Sequence, residues 1–182
     1  CSKAGVHHLI VVSNLASAGG SSATLERRIR DAARNFGVRM LGPKSLGILR
    51  PRISLNATFT EIAALPGDLA LVTQSGAMCA AVLDWATMNK IGVSSAVALG
   101  AAMDVDFGEI LDYLVSDDQT RYILLHVERV RNSRKFMSAL RSVARVKPVI
   151  LFKSGNHGSD DLMEFPSEQP DLNDDVFDAA VR

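Results

Sequence analysis

Asp68-Leu69-Ala70-Leu71-Val72-Thr73-Gln74-Ser75-Gly76-Ala77-Met78 joins an unbroken apolar run to a glycine turn and then to the start of a helical pattern. A run that is apolar at successive residues suits a strand covered on both faces, the situation of strands in a parallel sheet. Ser75 stands where a helix cap is wanted, and Gly76 lets the backbone approach a neighbour closely. Beyond it Met78, Ala81, Val82, Trp85 and Met88 recur at helical spacing before Gly92, so the expected helix buries that stripe. A strand that passes directly into a helix reaches its parallel neighbour by a crossover, which sets the fold class as α/β.

The same alternation extends in both directions. Strands are expected at His7 to Ser13, Val38 to Leu41, Asp68 to Thr73, Ser95 to Leu99, Tyr122 to Val127 and Pro148 to Phe152. One further helix carries Leu25, Ile29, Ala32, Ala33 and Phe36 between Ser21-Ser22 and Gly37. Another carries Phe107, Ile110, Leu111 and Leu114 behind Asp104 and Asp106, and a last carries Phe136, Leu140, Val143 and Ala144 behind Ser133. A doubly wound sheet is the result. Residues 51–66 hold Pro51, Ser54, Asn56, Thr58 and Pro66, which interrupt both periodicities and read as a linker. It separates a unit over 1–50, with too few strands and helices to close a core alone, from a larger unit over 67–182. Cys1 is not an initiator methionine, so the chain is expected to begin inside a domain; from about residue 156 a polar, acidic tail is expected.

Composition narrows the function classes. Among 182 residues, Lys plus Arg and Asp plus Glu are 20 each, so no net field draws the chain to nucleic acid or to an anionic membrane. Its two cysteines, Cys1 and Cys79, make neither a disulfide framework nor a metal-binding pair; a cytoplasmic setting and no metal are expected. No apolar run approaches the ~20 residues of a membrane span.

In an open parallel sheet, ligands gather beyond the carboxyl ends of the strands, where helix N-termini present amides without acceptors. The first such corner holds Gln74, Ser75 and Gly76, where the amides of 76–78 could take a phosphate; simple capping by Ser75 is the competing role. A second corner holds Gly42, Pro43, Lys44 and Ser45, a tight turn that could lie against a flat cofactor with Lys44 supplying charge. At a third, after Leu99-Gly100, either Asp104 or Asp106 could cap a helix. Glu128 ends the strand Tyr122 to Val127 and is the leading acid or base candidate, with pairing to Arg129 or Arg131 as its alternative. His126, inside that strand, reads as a core histidine. His157, after Lys153-Ser154-Gly155, stands in a loop with no evident orienting partner.

Taken in order, Leu41-Gly42-Pro43-Lys44-Ser45-Leu46-Gly47, Leu55-Asn56-Ala57-Thr58-Phe59, Thr73-Gln74-Ser75-Gly76-Ala77, Leu83-Asp84-Trp85-Ala86, Asp104-Val105-Asp106-Phe107, Lys147-Pro148-Val149, Lys153-Ser154-Gly155 and Val176-Phe177-Asp178-Ala179-Ala180 resemble the NDP-forming acyl-CoA synthetases. The resemblance implies that residues 1–50 are the later part of a Rossmann-like CoA-binding domain. Residues 67–182 look like a flavodoxin-like parallel sheet, the succinyl-CoA ligase-like domain. It further implies coenzyme A or acetyl-CoA as ligand, at Gly42, Pro43, Lys44, Ser45, Gln74, Ser75, Gly76 and Glu128. Where the family carries a Ser-His-Thr-Gly loop with a phosphate-bearing histidine, this sequence has Phe165-Pro166-Ser167-Glu168, and Lys44 replaces the family's asparagine.

The lost histidine makes the chain resemble the domains of Pat-type, GNAT-fused bacterial protein lysine acetyltransferases, and the expectation drawn is a non-catalytic, CoA-sensing fragment of such a protein. The alternative is the catalytic domain of an NDP-forming acetyl-CoA synthetase, using ATP or ADP, with His157 carrying phosphate and Glu128 assisting. A ligand-free structural or oligomerisation domain is the third reading. The partners these imply are a GNAT or an ATP-grasp domain, and a second copy of the chain is admissible.

Overall fold

The computed structural model describes residues 2–14 and 22–154. In chain order its elements are β1 (His8–Ile10), α1 (Ser22–Asn35), β2 (Arg39–Leu41), β3 (Gly47–Arg50), β4 (Leu55–Thr58), β5 (Pro66–Thr73), α2 (Gly76–Met88), β6 (Val93–Ala98), α3 (Phe107–Ser116), β7 (Tyr122–Val127), α4 (Ser133–Ala144) and β8 (Val149–Lys153). β1 and β2 form a two-stranded parallel sheet, and the rest form one six-stranded sheet in the order β4-β3-β6-β5-β7-β8. β6, β5, β7 and β8 run parallel, whereas β3 is antiparallel to both β6 and β4. The sheet is an α/β flavodoxin type with a mixed edge.

β3 and β4 are strands that periodicity did not supply, and β4 falls inside the stretch read as a linker. Each is only four residues long, and the segment between them turns through a short 3-10 helix over Pro51–Ile53. So brief a strand beside Pro51 and Asn56 offers too few alternations to register as a pattern.

β5 shows why its sequence is apolar throughout. Leu71 packs on one face with Cys79 and Leu83 of α2, while Ala70 and Val72 pack on the other with residues of α3 and α4. Alternate residues of one strand thus feed two cores, and neither face has a polar side.

α2 buries a different stripe from the one expected. Cys79, Leu83 and Ala86 meet the sheet, whereas Trp85 and Met88 are 57% and 70% exposed. The helix is apolar on nearly every side, so spacing could not choose the face; the small side chains Cys79 and Ala86 are the ones that allow close approach to the sheet. Phe36, expected in the stripe of α1, lies just past that helix and is 58% exposed. Of the two aspartates offered as caps of α3, Asp106 takes the role by accepting from Glu109 N at 3.1 Å. Asp104 instead accepts from Met40 N at 2.8 Å and Arg39 Nε at 3.0 Å, fastening β2 to the loop before α3. α4 is capped by Asn132, one residue earlier than Ser133.

Candidate anion site at the carboxyl edge of the sheet

Register places Thr73, Ala98 and His126 side by side, so β5, β6 and β7 end along one edge. At this edge Ser75 caps α2: its backbone is extended, and its Oγ accepts from Met78 N at 3.2 Å. Thr73 Oγ1 accepts from Ser75 N at 3.0 Å, tightening the turn. The amides of Gly76 and Ala77, in the first turn, have no acceptor within the helix and point along the axis out of its positive end. Capping by Ser75 and an anion on the next amides are therefore compatible roles.

Gln74 is buried and spends its amide on the neighbouring strand's exit. Its Oε1 accepts from Glu128 N at 2.7 Å and Arg129 N at 2.8 Å, and its Nε2 donates to Arg129 O at 2.7 Å. This side chain, offered by the sequence as a ligand contact, thus staples β5 to β7 and fixes the backbone from which the exposed Glu128 side chain leaves. Pattern reading missed that function, since an amide at a strand end looks the same whether it faces a ligand or a neighbouring backbone.

The Gly42–Gly47 corner is built differently. Gly42, Pro43 and Ser45 are buried, and Lys44 is exposed with φ 58°. Ser45 donates its hydroxyl proton to Ala98 O and accepts from Gly47 N at 3.0 Å. Pro43 O accepts from Ala101 N at 2.8 Å, and Gly42 O from Met103 N at 3.0 Å. Gly100 has φ 60°, and a β-carbon there would collide with the carbonyl oxygen of Pro43. The corner is a joint between backbones, and Lys44 is its outward-facing member.

His126 is buried with both ring nitrogens engaged, as a core histidine should be. Burial pushes the Cys79 thiol up to about 11, so it is no nucleophile at neutral pH. Arg131 reaches Glu26 at 3.6 Å, and its pKa is lowered chiefly by desolvation. No group of three or more His, Cys, Asp or Glu that could hold a metal occurs among the described residues, nor any helix long and apolar enough to cross a membrane. His157 and Pro166 lie outside the described residues.

With the sheet order and the capped corner in place, the family comparison is direct: the succinyl-CoA ligase like flavodoxin domain matches residues 66–182. The chain belongs to that family. Among sequence relatives, it is 40% identical over 160 residues to acetate–CoA ligase [ADP-forming] I of Archaeoglobus fulgidus, covering 87% of this chain and 23% of the relative. It is 36% identical to acetate–CoA ligase [ADP-forming] I subunit alpha of Pyrococcus furiosus, covering 85% and 34%. The chain therefore spans between about a quarter and a third of these relatives. Among solved structures, dinucleotide-forming acetyl-coenzyme A synthetase 1 of Ca. Korarchaeum cryptofilum, in complex with phosphate and ADP, aligns with a TM-score of 0.78 at 32% identity, covering 85% of this chain and 34% of that one. A Pyrococcus horikoshii OT3 structure aligns with a TM-score of 0.83 at 29% identity, covering 99% and 38%.

These relatives correct the expectation of a Pat-type acetyltransferase fragment. That expectation hung on one loop position near Pro166, whereas the ligase matches run along most of the chain. A single replaced side chain says little about which larger protein a scaffold serves; the reading held second on sequence is the one the relatives fit.

Proposed function

We propose that this chain is the catalytic succinyl-CoA ligase-like domain of an ADP-forming acyl-CoA synthetase, with acetyl-CoA as its acyl-CoA. The observation that carries the proposal is the Thr73–Gly76 corner, a capped helix start with open amides at the carboxyl edge of the sheet, in a chain whose relatives are ADP-forming ligases. A phosphoryl group in transit between nucleotide and acyl donor carries charge on its peripheral oxygens, and preorganised N–H donors stabilise that charge. Gly76 and Ala77 supply the donors. Glu128, held by Gln74 at the end of the adjacent strand, is the general acid or base, and Lys44 supplies positive charge toward the phosphates of coenzyme A. His157 carries the phosphate, and an ATP-grasp domain or subunit supplies the nucleotide site.

The test is formation of ATP by the full-length protein from acetyl-CoA, ADP and inorganic phosphate, with a parallel search for acid-labile, base-stable label from radiolabelled ATP. The proposal expects both, with the label lost in His157→Ala. Absence of ATP formation together with absence of label contradicts it.

A further inference from the structure

His126 links two parts of the carboxyl edge that the proposed chemistry treats separately. It is 4% exposed and next to last in β7, with Thr73 of β5 and Phe152 of β8 as its cross-strand partners. Its ring stacks on Phe152 at 5.5 Å between centroids. Nδ1 lies 2.9 Å from Thr73 Oγ1, and Nε2 lies 2.6 Å from the Oγ of Ser154, an exposed residue just past β8. Thr73 Oγ1 in turn takes the Ser75 N–H at 3.0 Å and stands 3.2 Å from Ser75 O.

A neutral imidazole has one donor and one acceptor nitrogen, and a hydroxyl has one proton to give. The hydrogen-bond chain therefore runs in one of two senses. When Ser154 donates to Nε2, Nδ1–H donates to Thr73, whose proton goes to Ser75 O, and the turn before α2 is held at both its N–H and its C=O. When Thr73 donates to Nδ1, Nε2–H donates to Ser154, Ser75 O keeps only its helical bond from Cys79 N at 3.0 Å, and the Ser154 proton is free to turn outward. One ring thus ties the shape of the turn to the hydroxyl at the exit of β8.

We infer that His126 is a positioning residue: it holds the Thr73–Ser75 turn in the form that opens the first amides of α2 to an anion, and couples that form to Ser154. The choice of phosphate as probe rests on the ligase function proposed above. Three variants of the full-length protein separate the two contacts. His126→Asn places an amide where Nδ1 stood and keeps the Thr73 contact; His126→Gln reaches the Nε2 position and keeps only Ser154; His126→Phe keeps the stacking and neither contact. With ATP formation measured against phosphate concentration, Gln and Phe are expected to raise the KM for phosphate about tenfold, more than they change kcat, as loss of about 1.4 kcal/mol of preorganised hydrogen bonding gives. Asn is expected to stay within about threefold of the parent. Equal phosphate KM values in all three, with only kcat or thermal stability reduced, are what a packing role produces and overturn the inference. If the parent makes neither ATP nor phosphohistidine label, the ligase function fails on its own, and the variants are compared by thermal shift with phosphate. A stabilisation kept in Asn and lost in Gln and Phe supports the positioning role, and no stabilisation in the parent overturns it.

Discussion

Two glycine-containing corners, Gly42–Gly47 and Thr73–Gly76, look alike in sequence, each a strand end running into small and hydroxyl residues, yet the fold uses them in opposite ways. After the first, the chain enters another strand, β3, and the turn's polar groups point inward to Ala98, Ala101 and Met103. After the second, it enters α2, and the first amides of that helix point outward. Glycine serves backbone-against-backbone packing in one case. In the other, Gly76 has Leu46 Cβ at 3.4 Å from the place its own β-carbon would take, an ordinary contact. The element entered after the turn, strand or helix, decides whether the turn's amides are consumed or offered.

Substitutions in the two corners, or in Gly100 packed against the first, should therefore fail differently. Gly100→Ala, which drives a β-carbon into Pro43 at φ 60°, is expected to cost about 3 kcal/mol or more, lowering the melting temperature of the full-length protein by roughly 10 °C. A shift under about 2 °C would mean the joint is looser than its geometry. Gln74→Ala leaves the Glu128 and Arg129 amides and the Arg129 carbonyl without their partner, a loss of about 2 kcal/mol, readable as a lower denaturation midpoint with unchanged slope. Ser75→Ala removes a cap worth about 1 kcal/mol and is expected to keep phosphate binding, since the Gly76 and Ala77 amides remain; loss of binding with retained stability would place the anion on the hydroxyl instead. Gly76→Ala should be the mildest, within about 0.5 kcal/mol of the parent by chemical denaturation, because Leu46 leaves room.

The parallel core was legible because β5 and β7 feed two cores and so carry the apolar runs Leu69–Val72 and Tyr122–Leu125, and because Asp106 and Ser75 mark helix starts. β3 and β4 were not, being too short to show alternation and too rich in turn residues between. The face of α2 was lost for a different reason: a helix apolar all round contains no stripe to read, and burial of Cys79, Leu83 and Ala86 is decided by the sheet it meets. At the Thr73–Gly76 corner, the cap by Ser75 could be named from position alone. The inward commitments of Ser45 and Gln74 could not, because their partners, Ala98 and the 128–129 backbone, lie 53 to 55 residues away. His126 is the sharpest instance: an isolated histidine in a strand gives no sign that Thr73 and Ser154 flank it.

The most direct test of the contrast between the corners is a crystal structure of the full-length protein grown with inorganic phosphate. The account predicts phosphate within hydrogen-bonding reach of the Gly76 and Ala77 amides, with no rearrangement of Gly42–Ser45. Phosphate seated instead on the Gly42–Ser45 turn, or the Gly76 and Ala77 amides left without it at saturating concentration, would contradict it.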